Sequence, residues 1–393
     1  MSLKKTTISL FLLALLATAS AQIQLSDQAE ISMVTIGPYD PELWSSWGHS
    51  AIRVHDPLRR IDIAYDFGRF SFQQERFYLN YALGTTYYSI GRFNDYEALR
   101  NHYLGQQRWV QEQVIDFTPQ EVQQVFELLE ENNRPENREY LYNYVYDNCA
   151  TRLVDVVDTV LRDRVIYGES FMTEGQTIRD LMDDGLVYQP WGDLLIDLLL
   201  GSQIDQEANF REYLMMPAHV RDAFAGASIN RDSVQVPLVR RTIPYDVEEP
   251  ELANGLMTPF NTFVIVFFVV GLITNRNFKT QKRSKWLDAL LFSVVGFLGC
   301  ICVFLWVGTE HLSKWNYNLI WAIPFHLPAI WLLLVEKYRP FLVRYFRFTG
   351  VLYACVLVFW VVFPQDLHQS LIPFILMLAL RAFYISYDVS KSL

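Results

Sequence analysis

The sequence has few cysteines, few basic residues in its N-terminal part, and none of the short motifs that bind metals or nucleotides. Four cysteines in 393 residues are too few for a disulfide-rich scaffold. Metal-ligand spacings, a phosphate-binding loop and a dinucleotide fingerprint are missing, so we expect neither a metal nor a cofactor. Residues 22–256 have a net charge of −19 and no basic patch, which disfavours nucleic-acid binding.

Charge and hydrophobicity divide the chain in two. Residues 257–393 have a net charge of +7. A helix needs about 20 apolar residues to cross a bilayer. The C-terminal part therefore predicts an all-α bundle of five transmembrane helices, at about 256–274, 287–308, 319–335, 348–363 and 371–387.

The N-terminus is typical of a secretory signal peptide. Lys4 and Lys5 precede an apolar run that is too short to span a bilayer, and small residues follow it up to Ala21. We expect residues 1–21 to be removed, with a short uncleaved anchor as the alternative. Either way, residues 22–256 would lie outside the cytoplasm.

Loop charges predict the same orientation. Ten Lys and Arg residues lie in loops 275–286 and 336–347 and in the tail, whereas Lys314 is the one basic residue of loops 309–318 and 364–370. The positive-inside rule then places the C-terminus in the cytoplasm. Residues 235–256 contain three prolines and predict a short, semi-rigid linker next to the membrane.

Residues 22–256 predict an α+β domain. Residues 50–54 and 61–65 alternate polar and apolar side chains around a turn, as in a β-hairpin. Thr118 followed by Pro119 and Glu121 is typical of a helix start with a capping box. A second helix is expected to begin at Cys149, after Asn148 or the residue before it as N-cap.

Cys149 is the candidate nucleophile. The other cysteines, Cys300, Cys302 and Cys355, lie in predicted spans, so Cys149 has no disulfide partner in the exported domain. The positive end of a helix favours a thiolate over a thiol. The alternative is an inert, buried cysteine.

A thiolate nucleophile needs a base that accepts and returns a proton. His49 lies at the start of the first hairpin strand, where its side chain can face a cleft, whereas His55, His102 and His219 have no partner that the sequence indicates. Asp62 on the paired strand is the predicted orienting group. Its same-face neighbour is Asp66.

Several segments resemble the lipoprotein N-acyltransferase family of Bacteroidota (Lnb). They are 47–54 (WGHSAIRV), 62–70 (with YDFGRF), Glu112-Gln113, 135–144, 146–152 (YDNCATR) and 310–324. The resemblance covers essentially the whole chain, and it implies a circularly permuted papain-like exported domain of the NlpC/P60 type. It also implies that Cys149 and His49 are the catalytic pair, with Asp62 as the third member.

The resemblance implies a location and a reaction. The protein would lie in the bacterial inner membrane with a periplasmic catalytic domain. Cys149 would take an acyl chain from a membrane phospholipid as a thioester and pass it to the α-amino group of a diacylglyceryl-cysteine lipoprotein. Candidates for substrate binding are Tyr65, Asp66, Asn148, Arg152, His311 and Asn316.

Two other functions remain open at this point. A membrane-tethered cysteine peptidase or cell-wall amidase would use the same Cys149 and His49 with water or a peptide as acceptor. A non-enzymatic membrane sensor or assembly factor would keep Cys149 for structure alone. Separately, Arg381 in the fifth stretch is expected to face the bundle or the inner interface, because facing lipid is costly.

Overall fold

The computed structural model describes residues 23–248 and 253–391. The predicted signal peptide, residues 1–21, lies outside the described residues. The strands are β1 (Glu30–Ile36), β2 (His49–Asp56), β3 (Ile61–Arg69), β4 (Tyr87–Phe93), β5 (Val110–Ile115), β6 (Glu139–Leu141), β7 (Val165–Ile166), β8 (Ser228–Arg231), β9 (Val234–Pro237) and β10 (Val239–Tyr245). The helices are α1 (Phe77–Leu83), α2 (Tyr96–Gly105), α3 (Pro119–Asn132), α4 (Cys149–Leu161), α5 (Ile178–Asp184), α6 (Pro190–Leu199), α7 (Phe210–Tyr213), α8 (Pro217–Ala225), α9 (Pro259–Thr280), α10 (Lys285–Gly308), α11 (His326–Leu332), α12 (Arg339–Val358) and α13 (Leu371–Ser390).

The N-terminal domain is built on a seven-stranded antiparallel sheet with the strand order β10-β5-β1-β2-β3-β4-β6. The predicted hairpin is confirmed as β2 and β3, and the predicted capping box at Thr118 begins α3. The apolar faces of α3 and α4 pack against one side of the sheet, whereas α2 covers the other side. This α+β arrangement brings the N-terminus of α4 to the end of the sheet where β2 begins.

The predicted linker, residues 235–256, is wrong over its first half. Val234–Pro237 pairs in a small sheet with β7 and β8, and Val239–Tyr245 is the edge strand next to β5. A proline is tolerated on an edge strand because its missing N–H would face away from the sheet, so Pro244 does not exclude a strand.

Within the described residues, the C-terminal part contains four helices that are long and apolar enough to cross a membrane: α9, α10, α12 with the turn before it, and α13. The predicted third span, residues 319–335, is not one continuous helix, and the count of five is not confirmed. Residues 319–335 instead form a 3₁₀ turn and the short helix α11, because Pro324 and Pro328 interrupt the helical hydrogen bonds. The predicted fourth span starts earlier than expected, at Arg339.

The bundle buries a charged arginine together with its polar partners. Arg381 is fully buried, and its Nε lies 2.8 Å from the Asp288 carboxylate. Its Nη1 donates to Thr274 at 2.9 Å. The expectation that Arg381 faces the bundle is therefore confirmed, and the paired carboxylate offsets the cost of burying the charge.

The N-terminal domain is docked directly on the bundle. Leu194 of α6 belongs to the apolar core of the bundle. The Asn316 side-chain amide donates to the Leu198 carbonyl at 2.9 Å, and the Gly201 N–H donates to the Leu312 carbonyl at 2.9 Å. A Cβ on Gly201 would lie 1.9 Å from a carbonyl oxygen of the outer loop, so this contact requires glycine.

Candidate active site

Cys149 is the first residue of α4, as the sequence predicts. The Asn148 side chain caps the helix by accepting the N–H groups of Ala150 and Thr151, at 2.8 and 3.0 Å. The Asn148 amide also donates to the Met215 carbonyl at 2.8 Å, which fixes the turn. Cys149 is 9 % exposed, so its thiol lies in a largely dry site at the positive end of a helix.

His49 is the group that interacts with the thiol. Burial alone lowers the pKa of His49, but Cys149 and Tyr103, together with hydrogen bonds to Asp66 and Cys149, raise that pKa well above its ordinary value. The His49 Nε2 lies 3.0 Å from the Asp66 Oδ2, so Nδ1 is the nitrogen available to Cys149. The arrangement favours an imidazolium in contact with both Cys149 and Asp66.

Asp66 is the carboxylate that holds His49. Its side chain is fully buried, and Arg69 Nε lies 2.8 and 2.9 Å from its two oxygens. Burial opposes ionisation, but the contacts with His49 and Arg69 keep the pKa of Asp66 below its ordinary value. Asp66 is therefore ionised and can orient and stabilise the imidazolium.

Asp62 does not occupy the position that the sequence predicted for it. Its two oxygens accept hydrogen bonds from Arg53, at 2.7 and 2.9 Å. In the hairpin, Asp62 pairs with His55 near the turn, whereas Asp66 pairs with Ala51 next to His49. Both carboxylates lie on the face of His49, but the register brings only Asp66 to it.

Gly68 makes room for the nucleophile. Its φ of +90° is strained for any residue with a side chain, and a Cβ there would lie 3.2 Å from the Tyr142 ring and 3.8 Å from the Cys149 Cβ. Tyr142 stacks on Tyr88 with ring centroids 4.2 Å apart. Gly68 thus leaves room between Cys149 and the stacked rings of Tyr142 and Tyr88.

The remaining predicted residues have other partners. Tyr65 is buried on the opposite side of the sheet and donates to Glu130. Arg152 binds the Asp147 carboxylate, with Nη2 to Oδ2 at 2.6 Å.

Two predicted residues lie between the domains. His311 Nε2 lies 2.9 Å from the Tyr81 carbonyl, and Asn316 binds α6. Asn148 acts as the helix cap. Among the described residues, no contact joins His311 or Asn316 to Cys149, so the structure does not place these two at the thiol.

Two residues of the site are not among those that the sequence predicted. Arg69 donates hydrogen bonds to the Asp66 carboxylate, and the centre of the Tyr103 ring lies 6.3 Å from that of the His49 ring. Counting the hairpin pairs outward from the turn at 57–60 would have put Asp66 beside His49. Tyr103 belongs to α2, and sequence periodicity does not indicate where that helix crosses the sheet.

One group of side chains has the donors of a metal site. Asp193, Asp197 and His368 offer ligand atoms within 4.8 Å of one another. Arg179 already pairs with Asp197 at 2.5 Å, and His368 lies 3.2 Å from Asp193. Arg179 belongs to α5 and His368 to the loop before α13, so these contacts with α6 are those of an ion-pair network, and the contact of His368 joins the two domains.

Comparisons with known proteins agree with this architecture. No curated protein and no solved structure matches the chain. Residues 17–183 match the family model of the Lnb N-terminal periplasmic domain, and residues 251–392 match that of the Lnb transmembrane domain. The chain therefore belongs to the Lnb family and is a membrane protein with a periplasmic domain.

Proposed function

We propose that the protein is a lipoprotein N-acyltransferase that carries the acyl chain as a thioester on Cys149. The observation that carries the proposal is the contact of Cys149, His49 and Asp66 in a domain docked on a transmembrane bundle. Membership of the Lnb family supports the same reaction class.

In the first half-reaction, the Cys149 thiolate attacks an ester carbonyl of a membrane phospholipid. The bond between the carbonyl carbon and the glycerol oxygen breaks, and the His49 imidazolium gives its proton to that oxygen. The products are an acyl thioester on Cys149, a lysophospholipid and a neutral imidazole.

In the second half-reaction, the α-amino group of a diacylglyceryl-cysteine lipoprotein attacks the thioester. The neutral His49 accepts a proton from the nitrogen as the carbon–sulfur bond breaks. The products are an amide on the lipoprotein and the original thiolate–imidazolium pair. Asp66 stabilises the imidazolium that starts the first half-reaction and forms again in the second.

The developing oxyanion needs a donor near Cys149. The N–H groups of Ala150 and Thr151 are occupied by the Asn148 side chain. We therefore assign the oxyanion to the backbone N–H of Cys149 itself, at the positive end of α4.

Docking of the domains favours substrates that lie in the bilayer. The contacts of Asn316, Gly201 and Leu194 hold the domain against the bundle. A cell-wall peptidase or amidase needs reach away from the membrane, which this arrangement does not provide.

An apolar surface on α1 supports the same conclusion. Tyr78, Leu79 and Tyr81 are 76, 53 and 57 % exposed. The Leu83 carbonyl accepts the N–H of Glu310 at 2.9 Å, which places α1 at the outer end of α10. Exposed aromatic residues at a membrane surface bind the lipid interface, so α1 is placed to meet the outer leaflet.

We also propose how the bundle is oriented in the membrane. The side chain of Lys391, after α13, lies 2.5 Å from that of Gln281, after α9. Lys391 is thus at the end of the bundle opposite the periplasmic domain, and the positively charged loops share that end. This supports a cytoplasmic C-terminus in the inner membrane.

Thioester trapping tests the function. Full-length protein in detergent micelles is incubated with phospholipid labelled in its acyl chains. We expect label on Cys149 that neutral hydroxylamine releases, and none in Cys149→Ala. The mechanism is wrong if Cys149→Ala still N-acylates lipoprotein in membranes.

A further inference from the structure

Arg108 is a buried cation next to the candidate active site. It lies between α2 and β5 and is 4 % exposed. Its Nε donates to the Gly37 carbonyl at 2.7 Å, and its Cζ lies 4.9 Å from the centre of the Tyr103 ring. Tyr103 is thus a neighbour of both Arg108 and His49.

Arg108 lacks the carboxylate that such a burial ordinarily requires. Among the described residues, the other two buried arginines each have one: Arg179 pairs with Asp197, and Arg381 pairs with Asp288. Arg108 forms no ion pair within the described chain, and its buried Nη2 has no hydrogen-bond partner there. Nearby Glu42 acts on it electrostatically without forming an ion pair.

A buried guanidinium remains charged and is costly without a counter-charge. Burial lowers the pKa of Arg108 in spite of the nearby Tyr103, Glu42 and Cys149. The protein therefore holds a cation with an unused donor close enough to Cys149 to interact with it electrostatically. An anionic ligand would supply both the charge and the acceptor.

Resting on the proposed function, we infer that Arg108 binds the phosphate of the glycerophospholipid acyl donor. The phosphate and the reacting ester belong to the same glycerol unit, so an anion arrives at the site together with the carbonyl. A guanidinium also suits phosphate oxygens in charge and geometry. The acceptor's reacting group is an amine, which offers Arg108 no anion.

Arg108 is then a specificity residue of the first half-reaction alone. Single-turnover acylation of Cys149 is measured in detergent micelles, with phosphatidylethanolamine as the phospholipid donor and diacylglycerol as a donor that has the same esters without phosphate. We expect Arg108→Gln to raise the apparent KM for the phospholipid at least tenfold, with acylation by diacylglycerol changed less than twofold. Arg108→Lys, which keeps the charge, is expected to recover part of the loss.

The matched control is Arg221→Gln. Arg221 already binds Asp222, at 2.7 Å, and its guanidinium lies over the ring of Trp109, the neighbour of Arg108. It should leave both donors unaffected.

If Arg108→Gln reduces acylation equally with the two donors, the inference is overturned, because Arg108 would then stabilise the fold or the oxyanion and would not bind phosphate. Unchanged kinetics with the phospholipid would also overturn it. Failure of the wild-type protein to form a thioester from any phospholipid would instead remove the proposed function, and with it this assignment.

Discussion

Replacing Asp66 with asparagine tests the electrostatic core of the site. The carboxylate is fully buried between His49 and Arg69, and its Oδ2 lies 3.0 Å from His49 Nε2. Asparagine keeps the shape but removes the negative charge. The imidazolium then loses its counter-ion and faces the Arg69 cation.

The size of the effect follows from Coulomb's law. Two unit charges about 4 Å apart attract by about 4 kcal/mol at an effective dielectric constant of about 20. Arg69 shares the carboxylate, so we assign half of this, about 2 kcal/mol, to His49. One pKa unit corresponds to about 1.4 kcal/mol. The pKa of His49 should therefore fall by about 1.5 units, and acylation of Cys149 should fall by about 30-fold at alkaline pH, above the pKa of His49 in both proteins.

The pH dependence of acylation should shift in one direction. His49 must be protonated to release the lysophospholipid, so acylation falls as pH rises through the pKa of His49. That pKa lies well above its ordinary value in the wild type. In Asp66→Asn the alkaline limb should move to lower pH by about 1.5 units. Single-turnover thioester formation across neutral and alkaline pH measures both effects.

Asp62→Asn is the matched control. Asp62 lies on the same face of the hairpin but binds Arg53, and its side chain is 37 % exposed. It should keep acylation within about twofold of the wild type, because exposed ion pairs contribute little. The reasoning is refuted if Asp62→Asn moves the alkaline limb and Asp66→Asn does not.

Three further predictions concern other parts of the molecule. The double change Tyr78→Ser and Leu79→Ser should slow acylation of Cys149 by long-chain phospholipid in vesicles at least tenfold, but leave acylation by a short-chain soluble phospholipid unchanged. The control is Leu58→Ser, at a similarly exposed residue at the far end of the hairpin, which should leave acylation by both donors unchanged. Burial and the charges of neighbouring aspartates raise the pKa of Asp183 to about 9. The folded protein should therefore become less stable as pH rises from the ordinary carboxyl range towards that value. Asp183→Asn should lack this fall and melt at least about 2 °C higher than the wild type at neutral pH. A wild-type melting point that does not fall over this pH range would contradict the prediction. A Cβ on Gly299 would lie 1.9 Å from a backbone carbonyl of the segment before α11, so Gly299→Val should destabilise the bundle by about 1–3 kcal/mol in detergent unfolding, and an unchanged transition would refute that close approach.

Local signals in the sequence predicted most of the elements that build the site. Alternation predicted the hairpin, and Thr118 with Glu121 predicted the start of α3. The polar residues before Cys149 predicted that this residue begins a helix. Each prediction depends on neighbours within a few residues, so no tertiary information was needed.

The third residue of the site depends on register. Asp62 and Asp66 share a face, and alternation cannot distinguish them. The pairing of Ala51 with Asp66 decides between them, and it follows from where the turn lies. A count of pairs from the turn, in addition to alternation, would have identified Asp66.

The rest depends on contacts between distant segments. Pro324 and Pro328 marked a possible break in the third stretch, but hydropathy dominated the prediction there. The docking of α6 on the bundle joins residues more than a hundred positions apart, such as Leu198 and Asn316. Pairings of this kind are set by the tertiary fold and leave no periodic pattern in the sequence.

Mass spectrometry of lipoprotein N-termini tests the central claim most directly. The peptides are taken from cells that contain the wild-type protein, lack it, or contain Cys149→Ala. The account predicts one additional amide-linked acyl chain on the N-terminal cysteine with the wild-type protein alone. The same acylated peptide in cells that contain only Cys149→Ala would contradict it.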